Sequence, residues 1–316
     1  GVLFSRAYNT TVRNVVVIAD GLNDQYTSPM AGYGVYGTTN VDNFHFIGVS
    51  TTGDHGGDGS ISLSNVSSIN YTNSAVYDTV AEFLANADLT KFGSPWKVTA
   101  AGVYMNDYSS FIPVEGLKSA LVQDGKVTLA LADYELTSVD KLTINGTETA
   151  FAAENGAITF DATTGDNVVV FTVGETQYTY SIAFADYIIT TSAELEYWRA
   201  NANSYAYAVL GNNIDMKGAT LVADQADWYK KVFDGRGYTI ANFTTTTGFI
   251  RNLDATGVVK NVQLINVKMS TGADQGLLGE CGLGTIENVL IKVTEGRGGW
   301  HNGMLFSMAY DSSVVR

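Results

Sequence analysis

The chain has 316 residues, 45% of them hydrophobic, with 18 Lys and Arg against 32 Asp and Glu for a formal net charge of −14. That length suits two or three domains, and the composition is that of a folded chain. The acidic balance and the lack of any basic run exclude the electrostatic footprint of a nucleic-acid binder. No apolar run approaches the ~18 residues that insert into a bilayer, and a single cysteine excludes an intrachain disulfide framework.

The first stretch, residues 1 to about 75, is built from two recurring phrases. One is Gly followed by apolar residues, as in Gly1-Val2-Leu3-Phe4 and Gly34-Val35-Tyr36-Gly37. The other is apolar-x-Asn-apolar, as in Val12-Arg13-Asn14-Val15 and Val41-Asp42-Asn43-Phe44, whose Asn residues are 29 apart. From Ser74 to Asn86 the pattern changes: Val76, Val80, Phe83 and Leu84 share one helical face, which predicts a short helix over the end of a coil stack. Trp96–Thr99 and Val103-Tyr104 then read as extended chain.

Residues 113–186 lose that period. Alternating runs at 126–131, 141–144, 157–160, 167–171 and 177–182 are separated by Asp124-Gly125, Asn145-Gly146, Asn155-Gly156, Gly165-Asp166 and Gly174-Glu175. Short strands with such turns predict a small antiparallel sandwich. Ser192 followed by acidic residues is a helix start, and this second helix is expected to cap the beginning of the next coils.

Beyond it the two phrases return. Gly248-Phe249-Ile250, Gly276-Leu277-Leu278-Gly279 and Gly303-Met304-Leu305-Phe306 alternate with Ile240-Ala241-Asn242-Phe243, Val259-Lys260-Asn261-Val262 and Ile286-Glu287-Asn288-Val289, with Asn261 and Asn288 27 apart. Short β runs and Gly/Asn turns at a period of ~25–30 residues predict a parallel β-helix, whose coils bury their apolar residues only by stacking. Asn14, Asn43, Asn261 and Asn288 are read as a structural ladder, because Asn tolerates a left-handed backbone and can hydrogen-bond the equivalent Asn one coil away. Cys281, next to an apolar rung, reads as a buried, inert thiol.

The last residues also resemble the first. Residues 303–314 match residues 1–12 at an offset of 302, with Arg316 falling where Asn14 stands. The economical reading is one period of a longer tandem array, in which the two segments occupy equivalent coil positions and Leu3, Phe4, Leu305 and Phe306 share a core where copies meet. The isolated piece is then expected to be less stable than two linked copies, or to assemble end to end.

Gly276-Leu277-Leu278-Gly279 resembles the Gly-Leu-x-Gly phrase of the GLUG-type repeat of bacterial surface proteins, and 207–216 and 233–240 resemble the opening coils of such domains. The resemblance implies a right-handed parallel β-helix on a secreted or cell-surface, adhesin-like protein, and it implies no catalytic residue. The sandwich is similar to an immunoglobulin-like spacer domain, without a Cys pair or core Trp.

The expected fold is therefore all-β: β-helix segments flanking a small antiparallel Ig-like sandwich, with short capping helices. Residues 1–112 are the closing coils of a β-helix and its cap, 113–186 the sandwich, and 187–316 the cap and coils of a second β-helix. A sugar-cleaving site would need paired carboxylates repeated on adjacent coils. Asp20 with Asp24, Asp54-His55 with Asp58, and Glu295 with Arg297 and His301 lack that placement and read as solvated turns. Asp54 and Asp58 are the one pair that could share a Ca2+ ion with backbone carbonyls, and no other cofactor is indicated. Loop aromatics such as Tyr8, Tyr33, Tyr71, Trp228 and Trp300 are candidates for sugar contact. The expected role is a non-enzymatic structural module of an extracellular bacterial fibre or adhesin-like surface protein whose partner is itself. The alternatives are a carbohydrate-binding adhesin domain for surface glycans, a phage tail fibre and, last, a polysaccharide lyase or hydrolase.

Overall fold

The computed structural model describes residues 4–18, 31–47, 69–92, 96–99, 102–105, 117–221, 228–246, 248–269, 276–295, 305–309 and 314–315. It is an all-β protein built on a parallel β-solenoid of about seven turns. One sheet runs in the order 228–229, 252–253, 279–282, 306–309, 4–8, 31–36, and every pair in it is parallel. A second sheet runs 187–189, 207–210, 232–234, 258–269, 285–295, 314–315, 11–18, 39–47, 69–72. Both sheets place residues 4–18 after residues 305–315. The two coil segments, expected as parts of separate helices, stack within one chain into one solenoid. Its core runs through the join, from Trp198 and Phe233 to Leu277, Leu305, Phe4 and Phe44.

Each coil turns corners that only certain residues can take. The long strand Val258–Met269 pairs with Val232–Asp234 before Asn261 and with Thr239–Thr245 after it. Asn261 lies at φ +51 and Asn266 at φ +54, so one strand passes two corners. The left-handed region costs an ordinary L-residue of the order of 1 kcal/mol, and Asn least of the non-glycine residues. Asn242, grouped by its flanking residues with Asn261, in fact aligns with Asn266 and belongs to the other corner. The local phrase is the same at both corners, because both need an αL residue between apolar neighbours. Gly34-Val35-Tyr36 is likewise out of place in the phrase set: Gly34 pairs with Arg6 and Tyr36 with Tyr8, so this Gly lies within a strand and does not lead into one. Gly248, at φ +92, is obligatory, since a Cβ there would sit 2.5 Å from the Gly279 Cα of the next coil.

The ends of the stack are covered. Helix α1 (Val80–Asn86) is capped by Thr79, whose hydroxyl accepts from the Glu82 amide, and its buried Phe83 packs with Ile47 and Tyr77. Helix α2 (Ser192–Ala200) begins one residue earlier than the Ser192 signal suggests. Thr191 is the N-cap and forms a capping box with Glu194. Leu195 and Trp198 enter the solenoid core. Arg199 is also buried, and it donates to the carbonyls of Phe249 (3.1 Å) and Gly248 (3.4 Å).

Between the caps, Leu117–Gln123 through Thr176–Ala185 form eight strands in one continuous path that folds over its own core, which includes Val127, Leu142, Ile158, Phe171 and Ile182. Asp124-Gly125, Asn145-Gly146 and Asn155-Gly156 all take positive φ, as tight hairpins require. The sandwich is not wholly antiparallel: Leu117–Gln123 pairs parallel with Thr176–Ala185. Gly165-Asp166 opens the strand Gly165–Val173.

Candidate functional site at the solenoid–sandwich junction

Only Asp186 separates the last sandwich strand, Thr176–Ala185, from the first solenoid strand, Tyr187–Ile189. Its carboxylate accepts from the amides of Ala206 (2.7 Å) and Tyr207 (2.9 Å), tying the two domains at the point where the chain crosses. Along the strand Tyr207–Leu210 the side chains alternate. Ala208 and Leu210 face the solenoid core, while Tyr207 and Val209 face a small cluster shared with Ala183 and Ala185 of the sandwich.

A compact ionic group surrounds the Tyr207 hydroxyl. That hydroxyl lies 3.0 Å from Asp166 Oδ1, on the sandwich, and 2.9 Å from Asp234 Oδ2, on the solenoid. It has one proton for two carboxylates. Burial first, and then the Asp234 and Asp166 charges, push its pKa far above the ordinary tyrosine value, so it acts as a fixed donor. Two cations complete the group. Arg236 donates to Asp166 Oδ1 (3.2 Å) and to the Lys118 carbonyl of the sandwich (2.9 Å), and lies 3.8 Å from Asp234 Oδ2. Lys260 donates to Asp166 Oδ2 and lies 3.6 Å from Asp234 Oδ2. Two carboxylates thus face two cations and the charge closes, as the fully buried Asp234 requires. Burial alone would raise the Asp166 carboxyl, but the hydrogen bond and charge of Lys260, with Tyr207 and Arg236, hold it below its usual value. Asp234 is fully buried and also accepts from the Arg236 amide (2.8 Å) and Asn261 Nδ2 (3.0 Å).

Asn261 links this junction to the corner ladder. Asn288 Nδ2 donates to Asn261 Oδ1 at 3.0 Å, and Asn43 Nδ2 to Asn14 Oδ1 at 3.0 Å. Asn14, Asn43, Asn261 and Asn288 all lie at φ +51 to +55. A second ladder at the other corner runs Asn266 to Asn242 (3.0 Å) and Asn242 to Asp215 (2.9 Å). Asn266 lies too close behind Asn261 for a spacing of 27 to expose it.

No family model matches the chain, and comparison with curated proteins and with solved structures finds no match.

The remaining candidates fall as follows. Asp20, Asp24, Asp54, His55, Asp58, Arg297 and His301 lie outside the described residues, as do Leu3 and the side chains of Glu295 and Phe306. Among the described residues no group of three or more His, Cys, Asp or Glu is placed to hold a metal ion. His45 lies buried beneath helix α1, with Nε2 2.8 Å from Asn43 Oδ1 and its ring stacked on Tyr77; burial lowers its pKa. Cys281 is a buried thiol outside any disulfide. The other group singled out from the sequence is the meeting of the first and last segments. Phe4 pairs with Phe306 and Ala7 with Ala309 at the offset of 302. Phe4 and Leu305 are buried there. In the second sheet the register slips by one, Thr11 pairing with Val314 and Val12 with Val315. The reason is turn length: four residues separate Ala309 from Val314, and three separate Ala7 from Thr11. Val315 therefore aligns with Val12; Arg316, expected opposite Asn14, lies outside the described residues.

Proposed function

We propose that this chain is a non-enzymatic structural module of an extracellular bacterial fibre or adhesin-like surface protein. In this reading its solenoid is of the GLUG kind, its sandwich is an immunoglobulin-like spacer, and its copies adjoin in tandem or end to end. The observation that carries the reading is the seam between residues 305–315 and 4–12. The strand Phe306–Ala309 has Gly279–Gly282 on one side and Phe4–Tyr8 on the other, all parallel. The seam is backbone pairing over an apolar core, and the sequences that meet there resemble each other. A strand from the next copy offers the same hydrogen bonds as the chain's own, so closure within a chain and exchange between chains differ mainly in effective concentration. The junction clamp adds a rigid connection between solenoid and spacer, as a load-transmitting rod needs. The Asn ladders, whose rungs repeat from coil to coil, favour the same reading.

The test is a crosslink across the seam. In a Cys281→Ser background, Ala7→Cys and Ala309→Cys place thiols on directly paired residues. Oxidation at rising protein concentration should yield covalent dimers and longer ladders on a non-reducing gel, and two genetically linked copies should melt higher than one. Exclusively intramolecular crosslinking at every concentration, with a linked dimer that melts no higher, would remove the support for assembly.

A further inference from the structure

Three tyrosines gather on the outside of the first coil, where nothing in the clamp or the seam uses them. Tyr187 opens the strand Tyr187–Ile189, Tyr197 lies on helix α2, and Tyr205 precedes the strand Tyr207–Leu210. The Tyr187 and Tyr205 ring centroids are 4.3 Å apart and those of Tyr187 and Tyr197 are 6.0 Å apart, with the planes within 34° of one another. Tyr187 and Tyr205 rest partly on the solenoid core and help to seal the first coil. Tyr197 does not: the residues that α2 buries are Leu195, Trp198 and Arg199. At 54% exposure Tyr197 is the most open large apolar side chain among the described residues. This half-exposed phenol ring, backed by two others, forms a small aromatic patch open to a ligand.

We propose that the Tyr187–Tyr197–Tyr205 cluster is a binding platform for the pyranose rings of a neutral polysaccharide. A pyranose has an apolar C–H face about the size of one aromatic ring and a rim of hydroxyls. Tyrosine answers both, with a ring to stack and a phenol that donates and accepts at its edge. The local charge selects among sugars. Asp186 and Glu194 lie beside the cluster, and both are committed: Asp186 to the amides of Ala206 and Tyr207, Glu194 to Thr190 and Thr191. They stay as fixed negative charges that repel uronic acids and sulfated glycans and leave neutral hexose chains favoured. The platform lies on helix α2, the strand Tyr187–Ile189 and the residue that follows the turn Ala202–Ser204, with α2 fixed at its start by the capping box, so little order is lost on binding. In an array each copy would carry one such site, and avidity would multiply a weak single contact. The proposal does not depend on assembly, since a single chain carries the whole cluster.

The experiment is affinity electrophoresis of the full chain through gels containing cellulose ether, xylan, glucomannan, galactan or starch, with polygalacturonate and alginate as anionic probes. At least one neutral polysaccharide should retard the chain. Tyr197→Ala should weaken that retardation at least tenfold with no change in melting temperature, because the side chain is outside the core. Tyr197→Phe should stay within about threefold, because stacking is kept. The proposal is overturned if no neutral polysaccharide retards the chain, if Tyr197→Ala binds as wild type, or if the anionic probes bind better than the neutral ones. None of these results bears on the crosslinking across the seam, so the two readings stand or fall separately.

Discussion

Replacing Asn261 by Ala probes the corner and the junction in one change. Asn261 is mid-ladder: it donates to the buried Asp234 carboxylate and accepts from Asn288, each at 3.0 Å. It also holds φ +51. Loss of the bond to a charged, fully buried acceptor costs about 1.5–3 kcal/mol, less the compensation from the Arg236 amide and the Tyr207 hydroxyl that Asp234 keeps. Loss of the neutral ladder bond adds about 1 kcal/mol. Forcing Ala into the left-handed region adds about 1 kcal/mol. The expected total is roughly 3–4 kcal/mol, or a Tm about 10 °C lower for a domain of this size. Two controls separate the terms. Asn261→Gly removes both side-chain bonds but takes αL freely, so it should recover about 1 kcal/mol relative to Ala. Asn266→Ala breaks a bond between exposed groups at the other corner and should cost only about 1–2 kcal/mol. Urea unfolding monitored by tyrosine and tryptophan fluorescence gives the three values. The reasoning fails if Asn261→Ala lies within 0.5 kcal/mol of wild type, or if Asn266→Ala proves as costly.

The clamp should be pH-sensitive with a defined sign. Asp166 has a lowered folded pKa, so its stabilisation is fully present above its unfolded value of about 4 and is lost as pH falls through the lower folded one. The Tm gap between wild type and Asp166→Asn should be constant above about pH 5 and shrink below about pH 4; a gap independent of pH would show that the pairing with Lys260 and Arg236 contributes nothing. Arg199 holds the carbonyls of Phe249 and Gly248 and has its pKa lowered to about 10 by burial, against the opposing charge of Glu196. Arg199→Ala should speed hydrogen exchange at Phe249 and Ile250 at least tenfold, and Arg199→Lys should fail to restore protection because one ammonium cannot reproduce the guanidinium fork. Unchanged protection in the Ala variant would mean that the cap holds without it.

Much of the architecture is local chemistry and was legible as such. A corner in a parallel coil needs a residue that tolerates αL, so apolar-x-Asn at intervals near 27 marks the coil translation in the sequence itself. Asp124-Gly125, Asn145-Gly146 and Asn155-Gly156 announce hairpins for the same reason, and the acidic residues after Ser192 announce a helix, whose N-cap is Thr191. Composition and periodicity thus determine an all-β chain of coils, an inserted sandwich and helical lids. They do not say which corner a given Asn turns: Asn242 and Asn261 sit in the same phrase, and only pairing with the neighbouring coil separates them. Nor do they reveal the junction. Asp166 read as part of a turn, yet it meets Arg236 and Lys260, 70 and 94 residues away. The tyrosine platform joins Tyr187 on a strand, Tyr197 on a helix and Tyr205 after a helical turn, elements whose relative placement no spacing encodes. The likeness of residues 1–12 to 303–314 pointed to equivalent coil positions, but the closure of both segments into one solenoid, with a one-residue slip in the second sheet, was decided by three-dimensional stacking. Backbone conformation at a corner depends on one residue and its neighbours and is written in the sequence. Strand partnership and charge pairing are relations between distant residues, settled only when the coils stack and the polar groups they bury must find one another.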